Sequence, residues 1–167
     1  PLVMAFFIPS MMDGLDRTGA LAVLHVFAAL MGLSLSVIFK LYSGMSIVGA
    51  FMGAAILFGT MSVYGYFTKR SLETMGQYLF IGLIAIILAS IVNIFIGSSV
   101  MQMVISAIAI VIFLGFTAYD TQTIRETLAE NEPGNAAVMG ALMLYLDFIN
   151  IFINLLQLFG VAPGKDD

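Results

Sequence analysis

Asp120 and Asp147 are carboxylic acids in two mainly apolar runs of the chain: Asp120 follows directly on residues 100–119, and Asp147 lies within 137–160. An Asp in the middle of a membrane helix costs roughly 2.5–3.5 kcal/mol on insertion scales, so two of them at one level make a functional-site hypothesis. Two carboxyls brought together cannot both ionise easily; they share a proton, and the titration belongs to the pair. Deprotonated, the pair offers hard oxygens suited to Ca²⁺, with waters and backbone carbonyls completing a shell of about six to eight oxygens. Protonated and hydrogen-bonded to one another, the same groups would hold two helices together. The motif therefore reads as a pH sensor and cation site, with a purely structural hairpin clasp as the alternative.

The elements that must position the pair are two helices folded about Glu132-Pro133-Gly134-Asn135, where Pro and Gly stop a helix. The turn lies midway between the two aspartates, so antiparallel helices bring them to similar depth. Roughly 13 residues at 1.5 Å each put both about 20 Å from the tip, and because part of that length is polar the pair would be shallow in the membrane. The last run also carries Asn150, Asn154 and Gln157, which with Asp147 follow a 3, 4, 3 spacing on one helical face. Lipid cannot satisfy carboxylates or amides, so this face points into a bundle, either as interhelical glue or as a hydrated ion path ending at the aspartates. Arg17 is a candidate latch for Asp120, with an ordinary surface role as the alternative. His25 is by residue type a candidate pH-sensing group, or packs as a hydrogen-bonded ring. Tyr119 and Tyr145 lie beside the aspartates as hydrogen-bond donors or as interfacial packing groups. Lys69 and Arg70 anchor a helix end and set topology.

Composition fixes the solvent. Of 167 residues, 61% are hydrophobic and 10% charged, and the mean hydropathy is +1.08. That leaves too little polar surface to face water all round, so the chain reads as an all-α, polytopic transmembrane helix bundle in one domain. A short run at 1–12, broken by Pro9, reads as the end of a helix whose start precedes residue 1; full spans are expected at about 20–39, 45–67, 77–96, 100–119 and 137–160. Gly49 and Gly53 form a GxxxG step assigned to helix packing. No cysteine and one histidine exclude disulfides, thiolate sites and multi-His metal sites, and no basic run invites nucleic acid. No cofactor is expected, Ca²⁺ being a transported or sensed ion; the remaining partners are protons and the lipid bilayer. Arg17, Lys69, Arg70 and Arg125 fall on one side, Lys40 and Lys165 on the other. The positive-inside rule then makes the first side cytosolic and the C-terminus extracytoplasmic.

At Ala118-Tyr119-Asp120-Thr121-Gln122 and Leu144-Tyr145-Leu146-Asp147-Phe148-Ile149-Asn150, and at Ser62-Val63-Tyr64-Gly65-Tyr66 before Thr68-Lys69-Arg70, the chain resembles the Bax inhibitor-1 (transmembrane Bax inhibitor motif) family, its bacterial inner-membrane members most. The resemblance implies a seven-helix bundle with a central last helix, here without the first helix and most of the second. It implies a pH-sensitive calcium leak channel governed by a di-aspartyl sensor, matched by Asp120 and Asp147, and a location in the inner (plasma) membrane. It also implies, for bacterial relatives, binding and restraint of a membrane protease. The family's calcium-leak members latch the first aspartate with an arginine near the end of the second helix. Met11-Met12-Asp13 stands at about that position here, and Arg17 is its approximate substitute. The second function carried forward is accordingly a non-conducting regulator of another membrane protein. An enzyme is not expected: two membrane aspartates suit an intramembrane aspartyl protease, but Asp147 lies in Tyr-Leu-Asp-Phe with no Gly-x-Gly before it.

Overall fold

The computed structural model describes residues 14–130 and 135–164. The expected stub at 1–12, the turn residues Pro133 and Gly134, and Lys165 lie outside those residues. Everything regular among the described residues is helical: α1 (Arg17–Leu35), α2 (Ile38–Leu41), α3 (Gly44–Phe67), α4 (Glu73–Ile96), α5 (Ser99–Glu130) and α6 (Asn135–Phe159). Five stretches among them are long and apolar enough to cross a membrane, with α1 and α2 together making the first. Their outer faces confirm the solvent: Phe95 is 86% and Ile94 77% exposed, which water would not tolerate over so wide a surface.

Caps explain the ends. Asp16 accepts from Gly19 N at 3.0 Å and starts α1. The Ser36 hydroxyl bonds Leu33 O at 2.7 Å where α1 gives way to α2. Ser43 accepts from Ser46 N to start α3. Gly97, at φ 69°, takes the left-handed conformation that ends α4 and lets the chain turn within two residues. The chain beyond α6 is tied back to α3: Ser43 N donates to Val161 O at 2.8 Å, and Val161 N to Ser46 Oγ at 2.9 Å.

Two helices share the centre. A third of the spanning window is buried in both α5 and α6, against 6–11% in the other three. Helix α6 packs on α1, α3 and α5; α5 packs on α3, α4 and α6. The centrality expected of the last helix is thus divided with its hairpin partner. Helix α5 has 32 residues, about 48 Å, well beyond the roughly 30 Å of hydrocarbon, so its final turns with Arg125, Glu126 and Glu130 stand outside.

Glycines set the closest approaches, though not at the expected step. A Cβ at Gly49 would meet nothing within 4 Å, and one at Gly53 only Leu155 Cδ1 at 3.5 Å. By contrast, a Cβ at Gly65 would fall 2.8 Å from Ala118 Cα and overlap its carbonyl oxygen, and one at Gly76 would fall 2.6 Å from the Tyr119 ring. Helices α3 and α4 therefore touch α5 through glycines that meet Ala118 and Tyr119, the two residues before Asp120.

Candidate functional site

Asp120 lies on α5 and Asp147 on α6, and the hairpin brings their side chains into hydrogen-bonding contact. They are 9% and 4% exposed. Asp147 Oδ2 is buried, and among the described residues no donor reaches it. Two carboxyls have no proton to offer each other unless one is protonated, so this contact is attractive only while a proton is shared. Ser99 to Asp120 spans about 32 Å of helix, which places the pair at the edge of the hydrocarbon rather than at its middle.

The α5 side of the pair is firmly braced. Gln122, buried at 5% exposure, accepts from Leu72 N and donates to Arg70 O, both at 2.8 Å. Arg125 Nη1 donates to Tyr66 O, and Nη2 reaches Glu126 Oε1 at 3.2 Å. The 68–72 loop is thereby strapped to α5 beside Asp120. The distant pairing partners make this clamp invisible to local pattern; its one signal in the sequence is the amide Gln122 that closes the Asp120 motif.

Other expected residues divide. Arg17 is exposed at the start of α1, and among the described residues it makes no ion pair with Asp120. Tyr119 packs on Gly76, and Tyr145 meets Phe27 edge-on at 6.2 Å; neither bonds an aspartate among the described residues. His25 Nδ1 donates to Leu21 O at 2.7 Å, and the ring lines a groove of about 250 Å³ with Leu24, Ala28, Ala141 and Tyr145, apart from the pair. Lys69 and Arg70 are exposed on the strapped loop.

The polar stripe of α6 is of two kinds. Asn150 Nδ2 donates to Leu146 O and Asn154 Nδ2 to Asn150 O, each at 2.8 Å. One N–H of each amide is thus bonded within its own helix, and no bond from either carbonyl oxygen to another helix is present among the described residues. Of the three amides, Gln157 is the one that crosses to another helix among the described residues: its Oε1 accepts from Gln102 Nε2 at 2.9 Å and Ser106 Oγ at 2.8 Å. Gln102 Oε1 accepts from Asn93 Nδ2 at 3.3 Å, and Asn93 Oδ1 from Ser98 N at 3.2 Å. This network joins α4, α5 and α6 at the end opposite the aspartates. Gln102 and Ser106, four apart in an apolar run, are the signal that could have revealed it.

Among the described residues no group of three or more His, Cys, Asp or Glu side chains gathers. Any cation held by the pair would take its remaining ligands from neutral oxygens and water.

The family described as Inhibitor of apoptosis-promoting Bax1 matches residues 1–163. Inner membrane protein YbhL of Escherichia coli is 39% identical over 165 residues, 95% of this chain and 70% of that protein. The uncharacterized protein RP147 of Rickettsia prowazekii is 43% identical over 139 residues, 81% of this chain and 59% of that protein. An uncharacterized membrane protein of Streptococcus pyogenes is 40% identical over 148 residues, 87% of this chain and 65% of that protein.

Proposed function

Because this chain belongs to the Bax inhibitor-1 family, we propose that it is a pH-sensitive calcium leak channel of the bacterial inner membrane, with Asp120 and Asp147 as its sensor. The observation that carries this reading is the buried contact between the two carboxyls, one oxygen of which no donor among the described residues reaches. With a shared proton the pair draws α5 and α6 together. When both groups ionise, the like charges repel and four carboxylate oxygens become available to a hard cation. Ca²⁺ is the substrate here, and the neutral carbonyl oxygens of Asn150 and Asn154 give it polar stations deeper in the bundle. The Gln157 network then forms the far end of that route.

The direction follows from the chemistry. Ionisation creates the cation site, so flux rises with pH. In liposomes containing the protein, Ca²⁺ entry should increase on the order of tenfold between about pH 6 and 8. A protein that is inserted and folded yet passes no Ca²⁺ at any pH would overturn the channel reading and favour a regulator that binds another membrane protein, such as a protease.

The likeness to inner membrane protein YbhL supports the same membrane for this chain. The end bearing Arg17, Lys69, Arg70 and Arg125 is assigned to the cytoplasm by the positive-inside rule. The chain has no cysteine, so a Lys69→Cys variant should react with an impermeant maleimide from the cytoplasmic face only. Labelling from outside intact cells would reverse the orientation.

A further inference from the structure

Ser62 departs from the habit of the hydroxyls around it. Ser34, Thr60, Ser90, Thr117, Thr121 and Thr123 each donate to the carbonyl four residues back on their own helix, at 2.6–3.0 Å. That is the ordinary fate of a hydroxyl in an apolar helix. The Ser62 hydroxyl is buried and does not do this; among the described residues it has no partner. The same condition is met by one other buried side-chain oxygen there, Asp147 Oδ2.

The contacts on either side of Ser62 connect it to the aspartate helices. Phe58, Ser62 and Gly65 follow a 4, 3 spacing and share one face of α3. Phe58 packs edge-on against Phe148, next to Asp147, with centroids 5.6 Å apart. Gly65 packs on Ala118, two residues before Asp120. Ser62 is thus bracketed between a contact on α6 beside one aspartate and a contact on α5 beside the other. Its face of α3 is therefore the one turned toward the α5–α6 hairpin that carries the carboxyls. A buried polar atom left without a partner costs about 1–3 kcal/mol, which a ligand in the seam would recover.

We propose that the Ser62 hydroxyl is a third oxygen of the Asp120–Asp147 site, turned away from its own backbone to ligate a hard divalent cation held between the carboxylates. This rests on the reading of the aspartate pair as a cation site. It adds α3 to a site otherwise built from the α5–α6 hairpin alone. The neutral oxygen raises the ligand count without adding charge, which suits an ion that must also leave.

The test is Ca²⁺ binding to the purified protein in nanodiscs at about pH 8, read by competition against Tb³⁺ luminescence, with no flux required. Ser62→Ala should weaken Ca²⁺ about tenfold, the lower end of the usual cost of removing a supporting group at a metal site. Ser62→Thr, which keeps the hydroxyl, should stay near the parent affinity. Ser90→Ala, at a hydroxyl already bonded to Ile86 O, should change nothing. If Ser62→Ala binds as the parent does, or if Ser90→Ala loses as much, the role of Ser62 is overturned while the aspartate site stands. If the parent itself binds no Ca²⁺ and Asp147→Asn makes no difference, the cation-site reading fails and the proposal fails with it.

Discussion

Gly65→Ala should be among the most damaging single-methyl changes in this molecule. The added Cβ would overlap the Ala118 carbonyl oxygen and lie 2.8 Å from both its carbonyl carbon and its Cα. These are backbone atoms in the middle of α5, and neither helix can turn a rotamer to give way. Helices α3 and α5 must part, and overpacking of this kind costs roughly 1–3 kcal/mol. The gain in helix propensity, about 1 kcal/mol for Gly to Ala, offsets only part of it. Gly49→Ala isolates the propensity gain, since its Cβ meets nothing within 4 Å. In detergent unfolding, Gly65→Ala should lower the midpoint clearly while Gly49→Ala holds or raises it. Equal effects at the two positions would mean that α3 and α5 do not touch there.

Asp147→Asn should leave Ca²⁺ flux nearly flat with pH. An amide still hydrogen-bonds Asp120, but it takes no part in a shared-proton titration, and it removes half of the charged oxygens available to the cation. Asp120→Asn should do the same for the same reason. The informative variant is the double one. Two independent sensors would lose their effects additively, whereas a pair that shares one proton loses nearly all of its pH response with either member. The double variant should therefore match the single ones to within about twofold, because groups that act as a unit are non-additive. A single variant that keeps half of the pH response would point to two separate titrating groups.

Much of the site was legible because it depends on arithmetic along one hairpin. Asp120 and Asp147 stand symmetrically about Pro133-Gly134, so antiparallel helices had to bring them to one level. The five apolar runs were equally plain, because a bilayer demands length and low charge and little else. What stayed hidden depends on which face meets which neighbour. Gly49 and Gly53 make the familiar packing pattern, yet their face opens onto a groove of about 320 Å³ with Ser46, Ala50 and Leu155. Gly65 and Gly76 are among the tight approaches instead, and neither lies in a GxxxG step. Asn150 and Asn154 looked available to other helices, but each found a carbonyl one turn back on its own. Gln122 is clamped to a loop some 50 residues earlier, and no window on the sequence reaches that far. Ser62 was hidden more completely, since its role depends on the direction of one hydroxyl.

The central claim is that a shared proton between Asp120 and Asp147 holds α5 to α6. Leu128 and Met143 are partly exposed positions on those two helices, and the chain has no native cysteine to interfere. Spin labels at Leu128→Cys and Met143→Cys, in nanodiscs free of Ca²⁺, report the separation directly by double electron–electron resonance. Raising the pH from about 6 to 8 should ionise the pair and lengthen the distance by on the order of 2 Å, the scale of a helix shift at a packed interface. The Asp147→Asn background should show no change. A distance that is the same at both ends of the pH range in the parent protein, or one that moves equally with Asp147 removed, would contradict the account.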